Sequence, residues 1–435
     1  MTLVPSFVDL VQPLHAVMTV PSFNSFMTLM TGWIYARRRT ITSVIIAADA
    51  VDVKHHSAFH RLFASARWSL DTLGLAVFRL LEPWLDDVVM LALDDTLARK
   101  RGLKVFGVGM HHDPILSTRK TAIMNWGHSW VVLAVLVKFP FCTRRVFALP
   151  ILFRLYLNKG AAEKHRRVYR TRPQLAVHML KVLCLFYENR RFHVVADSAY
   201  GGQSVLNYLP VNCDLTSRLS LDARLYKAPP IRMAGTPGRP RKRGERLSNP
   251  QQMLDDRTRR IQLDLYGRHD RVRIADVEAR VYAAPDRPLR VVAVEPLTGG
   301  RGTQAFYSTM PDAKAEQVLA WYAQRWSLEV TFQEAKQRLG FEQPQGWTRQ
   351  AVERTAPMAM LLYSLIVLWF AKRGHRLLHR ESLPWYRHKP HASFADMLAT
   401  LRAAGVRRTV LSTGLRGRGS RKVLRTVLHA YRMAA

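Results

Sequence analysis

Two short apolar runs of this chain each end in an aspartate. Val88 to Leu93 leads into Asp94 and Asp95, and Phe192 to Ala196 leads into Asp197. Continuous apolar runs of this length predict strands that are buried on both faces and release their acids where they reach the sheet edge. Adjacent side chains of a strand point to opposite faces, so at most one acid of the first pair belongs to a given site. A turn or helix-cap role would explain an isolated aspartate of this kind equally simply.

Further apolar and alternating segments predict how this core is built up. Strands are expected at 130–137, 146–156 and 213–219, a helix at 172–188, and alternating strands at 261–266, 272–282, 289–295 and 304–309. The longest apolar run, at 358–371, is too short to span a bilayer, which needs ~20 residues, and predicts a buried helix. The pattern therefore favours an α/β core that is interrupted by a β-rich insertion.

The two ends of the chain are predicted to be helical. Residues 1–86 are nearly balanced in charge, and 40–64 fit either a helix-turn-helix that reads DNA ends or ordinary helical packing. Residues 372–435 are rich in Lys and Arg, which suits a second DNA-binding surface or a solvated helical face. No secretory signal is evident, and the three cysteines lack the spacing of a zinc site, so we expect a cytoplasmic, nucleoid-associated protein.

Charge indicates the class of partner. The chain carries 66 Lys and Arg against 32 Asp and Glu, a formal net charge of +34. A balance of this kind suits a polyanion, with nucleic acid (double-stranded DNA) as the first expectation and a membrane surface as the second, although no spanning segment supports it. Between Arg99 and Arg172 the only acids are Asp113 and Glu163, so phosphate binding is expected in this region.

A basic segment at 227–258 is rich in Pro, Gly and Arg. Such a composition buries little apolar area and predicts a linker that is disordered until it meets a partner. Its centre, Gly238-Arg239-Pro240, resembles the AT-hook, a short motif that inserts arginine into the minor groove of DNA. The expected DNA-binding residues are Arg239, Arg241, Lys242 and Arg243. Sequence-independent phosphate contact or a plain linker remains the alternative.

One polar stripe stands out late in the chain. If residues 321–336 form a helix, Tyr322, Arg325, Glu329 and Lys336 fall on one face. A solvated face with ion pairs at helical spacing would produce the same pattern. A carboxylate aligned with two cations is nevertheless a candidate site residue, particularly beside two strands that end in aspartates.

Carboxylates in a strongly basic chain are costly to keep free of ion pairs, unless they serve as oxygen ligands for hard cations. Asp95, Asp197 and Glu329 would suit two-metal phosphoryl transfer, in which two Mg²⁺ ions activate the nucleophile and stabilise the leaving oxygen. On this interpretation Arg325 and Lys336 hold DNA phosphates. Tyr322 then contacts a phosphate or supports Glu329.

The spacing Tyr322-x2-Arg325-x3-Glu329-x6-Lys336 resembles the Y-R-E-K signature of bacterial insertion-sequence transposases. The strand ends Asp94-Asp95-Thr96 and Val194-Val-Ala-Asp197 agree with that family in their order along the chain. In the family the first acid immediately precedes Ser or Thr, which points to Asp95. The resemblance covers residues 85–370.

The resemblance implies an RNase H-like catalytic core whose Asp-Asp-Glu triad, Asp95, Asp197 and Glu329, is both catalytic and metal-binding. Two Mg²⁺ ions, for which Mn²⁺ can substitute, are the implied cofactors. The implied activity is cleavage at terminal inverted repeats by a homodimer assembled on DNA, followed by joining to target DNA. Relatives that excise through a DNA hairpin use a Trp in the β-rich insertion, and residues 220–310 contain none. Either Tyr266, Tyr282 or Phe306 takes the place of this Trp or the second strand is cut in another way, so the sequence does not predict hairpin excision.

The expected organisation is a helical N-terminal domain at 1–86, a first core part at 87–219, the β-rich insertion at 220–300, a second core part at 301–371 and a basic helical region at 372–435. Two alternatives to an active transposase stay open at this point. One is a DNA-binding or architectural protein that has lost catalysis. The other is an RNase H-like nuclease that cuts DNA without joining it.

Overall fold

The computed structural model describes most of the chain, including all the elements that build the sheet. The described residues are 2–113, 116–118, 120–231, 239, 241–256, 258–265, 268–297, 302–378, 391–412, 423 and 427. Within them the fold is mixed α/β, with one twelve-stranded sheet and helical regions at both ends. This agrees with the RNase H-like architecture expected from the sequence.

The sheet contains parallel and antiparallel strands. Its strands are β1 (Val88–Arg99), β2 (Gly109–His112), β3 (Met124–Phe139), β4 (Cys142–Tyr156), β5 (Arg191–Ala196), β6 (Cys213–Leu219), β7 (Leu225–Tyr226), β8 (Arg246–Leu247), β9 (Arg259–Leu265), β10 (Arg268–Val281), β11 (Ala284–Pro296) and β12 (Gln304–Ser308). The strand order is β2-β3-β1-β5-β6-β12-β11-β10-β7-β8, with β4 on β3 and β9 on β10. The central β1, β5 and β6 are parallel, and the other pairings are antiparallel.

The helices flank this sheet. They are α1 (Pro5–Val11), α2 (Val20–Tyr35), α3 (Ile41–Ala47), α4 (His56–Ala64), α5 (Leu70–Leu81), α6 (Lys159–Lys164), α7 (Arg172–Phe186), α8 (Gln203–Leu206), α9 (Pro250–Asp256), α10 (Ala315–Gln324), α11 (Trp326–Leu339), α12 (Arg349–Lys372) and α13 (Phe394–Ser412). The predicted helix at 172–188 is confirmed as α7. Thr171 begins it with a capping box, in which its side chain accepts from the Gln174 amide and the Gln174 side chain accepts from the Thr171 amide.

Helix α12 lies in the middle of the apolar core, as the apolar run at 358–371 predicts. It packs against β4, α5 and α11, and the Ser364 hydroxyl donates a hydrogen bond to the Pro150 carbonyl at 3.0 Å. Among the described residues α12 is the single helix long and apolar enough to cross a membrane. Because 89% of its most apolar window is buried inside the protein, the helix is a core element here.

The N-terminal helices belong to the same apolar core as the sheet. The indole nitrogen of Trp33 donates to the Leu339 carbonyl at 2.8 Å, and that of Trp369 donates to the Ser6 hydroxyl at 3.0 Å. Residues of α2, α5 and α12 join one continuous buried cluster. The boundary expected near residue 86 therefore does not coincide with a gap in the core.

The β-rich segment extends the central sheet. β12 pairs with β6, so β9, β10 and β11 continue the sheet beyond the parallel strands. A smaller apolar cluster lies here between these strands and α10. The alternating pattern predicts the strands of the insertion correctly, but the sequence does not reveal their edge-to-edge union with the core.

The prediction that residues 227–258 are disordered is wrong for residues 246–256. Residues 246–247 form β8, and α9 buries Met253 and Leu254 against β10 and β11. These two apolar side chains give the segment a local core, which the average composition of the segment hides. Residues 232–238, 240 and 257 lie outside the described residues. Residues 379–390 and most of 413–435, in the basic region that is predicted to be helical, also lie outside the described residues. Residues 394–412 of that region form α13.

Candidate active site

The register between β1 and β5 brings two aspartates together. Leu93 pairs with Ala196 in parallel fashion, so Asp94 and Asp197, the residues that follow them, are neighbours. The predicted end of the first strand at its acids is wrong, because β1 continues past Asp94 and Asp95 to Arg99. The chain then turns into a short 3₁₀ helix, and Asp197 Oδ1 accepts a hydrogen bond from the Ser198 amide at 2.6 Å. Two apolar runs that end in acids thus place one carboxylate pair at the centre of the sheet.

Asp94 and Asp95 face opposite sides of β1, as strand alternation requires. Asp94 accepts a hydrogen bond from Arg325 Nη1. Asp95 instead accepts from the Tyr200 hydroxyl at 2.7 Å and lies 3.3 Å from Arg172 Nε. The expectation from the resemblance is Asp95, whereas the side chain that reaches Arg325 in the structure is that of Asp94.

The predicted helix at 321–336 is built as two consecutive helices, α10 and α11, which meet at Arg325. Arg325 keeps helical dihedral angles, φ −53° and ψ −35°, so the interruption is local. Its Nη2 donates to Glu329 Oε1 at 2.6 Å, one helical turn later. The predicted alignment of Arg325 with Glu329 is therefore present, and Arg325 joins the helix acid to the β1 acid.

The other two members of the predicted stripe lie elsewhere. Tyr322 is buried in the smaller apolar cluster, where its ring lies 4.5 Å from that of Phe306. Lys336 is largely buried, with its Nζ 4.0 Å from Glu342 Oε1, and this burial lowers its pKa. Of the stripe, Arg325 contacts a strand aspartate, Asp94, and Glu329 is joined to that acid through Arg325.

The Asp94 carboxyl is strongly affected by its surroundings. Burial raises its pKa to about 7, and the Asp95 and Asp197 carboxylates act in the same direction, while Arg325 opposes them. The pKa of Arg325 is raised further above its ordinary value by Asp94, Tyr322 and Glu329, which outweigh its burial. A buried acid with a shifted pKa beside a charged partner is typical of a functional site.

The four basic residues predicted to bind DNA from the insertion differ in their surroundings. Arg239, Arg241 and Lys242 are exposed. The Arg243 guanidinium stacks 3.8 Å from the centroid of the Tyr282 ring and 5.3 Å from that of Tyr226. Arg243 is thereby fixed by aromatic contacts inside the β-rich segment.

The donor set of the site suits a hard divalent cation. Asp94, Asp197 and Glu329 offer carboxylate oxygens, the ligands that Mg²⁺ prefers. In the part of the chain that the structure describes, however, no three Asp, Glu, His or Cys side chains converge closely enough to hold a metal ion. Arg325 accounts for this, because its guanidinium bridges Asp94 and Glu329. The ligands fit in kind, and Arg325 lies between two of them.

Three residues around Asp95 were not anticipated from the sequence. They are Tyr200, Arg172 and Ser129, whose hydroxyl lies 3.5 Å from Asp95 Oδ2 and accepts from Arg172 Nε at 3.0 Å. The position of Tyr200, three residues after Asp197, is a signal that was available, since both follow the same strand. The positions of Arg172 and Ser129 depend on α7 and β3, which only the fold brings close.

Comparison with known proteins adds a family to this geometry. The model of one protein family, described as DDE superfamily endonuclease, matches residues 24–276 of the 435-residue chain. The match includes β1, which carries Asp94 and Asp95, and β5, which Asp197 follows, and it stops before the Glu329 helix. No curated protein matches the chain. Because the family match covers more than half of the chain and the fold agrees with it, the chain belongs to the DDE superfamily endonucleases, a family that acts on DNA and usually uses divalent metals.

Proposed function

We propose that this protein is a transposase of a bacterial insertion sequence. It binds the terminal inverted repeats of the element, cleaves the ends and joins them to target DNA. The observation that supports this most directly is the meeting of Asp94, Arg325 and Glu329, with Asp197 as the neighbour of Asp94. A row of strand and helix acids in a chain of +34 net charge suits phosphoryl transfer on DNA.

The proposed catalytic and metal-binding acids are Asp197, Glu329 and one member of the first pair. The family resemblance favours Asp95 as that member, and the geometry favours Asp94, which we adopt. Bound Mg²⁺ would supply Lewis-acid activation of the attacking oxygen and stabilisation of the leaving oxygen. The role of the chain is to hold these carboxylates on two strands and a helix, all embedded in the core.

The remaining predicted roles are part of the proposal. Arg325 holds a DNA phosphate beside Asp94 and Glu329, Lys336 holds another farther along α11, and Tyr322 supports the helix junction from the smaller apolar cluster. Arg239, Arg241, Lys242 and Arg243 contact DNA from the insertion. The helices α3 and α4 read the DNA ends, and two copies of the chain assemble on DNA in the cytoplasm.

The test is a Glu329→Gln variant assayed on DNA that carries the terminal inverted repeats. Nicking that depends on Mg²⁺ should be abolished, while binding to the same DNA should stay close to that of the wild type. The substitution keeps the size of the side chain and removes only its charge. Nicking at the wild-type rate by this variant would contradict the assignment.

Two further outcomes separate the alternatives. If the wild-type protein nicks ends but joins none of them to a target plasmid, it is a nuclease without strand transfer. If it binds DNA with strong salt dependence and cuts nothing with Mg²⁺ or Mn²⁺, it is a DNA-binding protein without catalysis.

A further inference from the structure

Two basic segments that are distant in sequence lie against each other beside β1. One is the loop that follows β1, and the other runs from Lys164, the last residue of α6, to the start of α7. Their exposed cations form what we call the basic surface, and these are Arg101, Lys104, Lys164, Arg166, Arg167 and Arg170. They lie within residues 99–172, for which the sequence predicts phosphate binding without naming individual residues.

Direct contacts hold the two segments together. The Gly107 amide donates a hydrogen bond to His165 Nε2 at 3.2 Å, and the rings of Phe106 and His165 lie 4.5 Å apart. Gly107 has a φ of +72°, a left-handed conformation that favours glycine. The loop after β1 therefore turns toward the α6 segment, and the cations of both segments share one surface.

The backbone that carries these cations is fixed at several points. Asn158 caps α6 by accepting from the Ala161 amide at 2.8 Å, and Thr171 caps α7. Between them, Arg166 adopts a left-handed φ of 50°, and the Tyr169 ring packs edge-on at 6.4 Å from that of Tyr156. A segment ordered in this way presents its cations at little entropic cost to a partner.

Acids do not neutralise this surface. Of the two acids between 99 and 172, Asp113 is buried and accepts from Arg99 Nε at 2.9 Å. Glu163 is the one that remains exposed. Among the described residues, no ion pair within 4.0 Å joins a cation of the basic surface to an acid. Six exposed cations on two adjoining segments without such partners fit a polyanion.

The basic surface also adjoins the face of β1 that carries Asp95. Arg172, which follows it in the chain, reaches Asp95 at 3.3 Å. On its other side, the Arg99 amide donates to Glu342 Oε1 at 3.1 Å, and this oxygen lies 4.0 Å from Lys336 Nζ. A duplex seated on the basic surface would therefore pass close to Asp95, on the face of β1 opposite Asp94.

We propose that the basic surface binds the phosphate backbone of duplex DNA without reading its sequence. The proposal rests on the proposed function and names the part of the chain that holds the substrate. Arg325, Lys336 and Arg243 each make a contact inside the folded chain, and the side chains of the basic surface face solvent. Backbone contacts of this kind position DNA and carry no base specificity.

The test compares two double charge reversals in the full chain. Arg167→Glu with Arg170→Glu alters the basic surface. Arg67→Glu with Lys181→Glu changes the charge by the same amount at exposed positions outside residues 99–172. Binding of a fluorescent duplex without inverted repeats is measured by anisotropy over a series of salt concentrations, and unfolding midpoints are compared for all variants.

We expect the first variant to bind at least ~10-fold more weakly and the control to stay close to the wild type. Loss of two phosphate contacts should also reduce the slope of log affinity against log salt by about 2. The milder pair Arg167→Gln with Arg170→Gln should shift the slope in the same direction, which keeps the test valid if the reversal unfolds the chain. Equal losses in the control and the test variant, or an unchanged slope, would overturn the proposal. Because binding is measured without Mg²⁺, this result is independent of whether the protein cleaves DNA.

Discussion

The guanidinium of Arg325 donates a hydrogen bond to the carboxylate of Asp94, a residue 231 positions earlier in the chain. The same guanidinium donates to Glu329 at 2.6 Å. One fixed cation thus bridges two of the carboxylates that the proposed function assigns to metal binding. A DNA phosphate that draws Arg325 away would release both acids at once, which links substrate binding to formation of the metal site.

Removal of this bridge should strengthen metal binding in the absence of DNA. In Arg325→Gln the two carboxylates lose a competing positive charge, and we expect the affinity for Mn²⁺ to rise by about tenfold. A titration of free Mn²⁺ followed by electron paramagnetic resonance measures this directly. Arg349→Gln is the matched control, because Arg349 forms an i, i+4 pair with Glu353 on α12, away from the acids. Unchanged or weaker Mn²⁺ binding in Arg325→Gln would show that the arginine does not compete with the metal.

The two aspartates of the first pair should differ in their effect on DNA cleavage. Asp94→Asn removes the carboxylate that faces Arg325 and Glu329, and we expect nicking to fall by roughly 10³-fold, as for loss of a metal ligand worth several kcal/mol. Asp95→Asn alters the contacts with Tyr200 and Arg172, so its loss should be smaller by at least about tenfold. Single-turnover nicking rates at saturating Mg²⁺ decide between them. A larger loss in Asp95→Asn would identify Asp95 as the first acid of the triad, as the family resemblance indicates.

The raised pKa of Asp94 should appear in the pH dependence of stability. Burial lifts its pKa from the ordinary 3.8 to about 7, so over this range the folded protein holds a proton that the unfolded chain has lost. Stability from this group therefore falls as pH rises through the interval. The asparagine of the Asp94→Asn variant does not titrate, so the variant does not lose this stability as pH rises. Urea unfolding is measured at about pH 5 and about pH 8. The free energy of unfolding of the variant, relative to that of the wild type, should be larger at the higher pH. A constant difference would contradict the shift.

Local patterns in the sequence account for much of the fold. The apolar runs predict β1, β3, β4, β5 and β6, and the helical spacing predicts the approach of Arg325 to Glu329. Each of these follows from neighbours in the chain, where the 2.0 and 3.6 periodicities apply. The buried position of α12 is predicted on the same grounds.

The parts that the sequence does not predict depend on contacts between distant segments. Which acid of the first pair lies beside Asp197 is decided by the β1–β5 register, and the register depends on packing across the whole sheet. Tyr322 is drawn into the smaller apolar cluster by Phe306 on β12, a strand whose place in the sheet is not visible in its own residues. Composition alone likewise hides the two apolar residues that order α9.

The shared core of the N-terminal helices and the sheet gives another prediction. In Trp33→Phe the Leu339 carbonyl loses its buried donor, which should cost about 1–3 kcal/mol of unfolding free energy. Because α2 packs into the same cluster as α12, unfolding should remain a single transition. Thermal unfolding followed by circular dichroism and by tryptophan fluorescence checks both points. Two separate transitions would indicate that residues 1–86 form an independent domain.

Close packing between α5 and β4 reverses the usual effect of replacing a helical glycine. Gly74 lies inside α5, where alanine would ordinarily stabilise by up to ~1 kcal/mol. A Cβ at this position would lie 1.9 Å from the Ile151 carbonyl oxygen, which belongs to a buried strand and cannot move aside cheaply. We therefore expect Gly74→Ala to destabilise the protein by about 1–3 kcal/mol. Gly202→Ala is the control, because a Cβ there meets no atom within 4 Å. Urea midpoints measured for both variants should move only for Gly74→Ala, and a stabilised Gly74→Ala variant would show that α5 can shift away from β4.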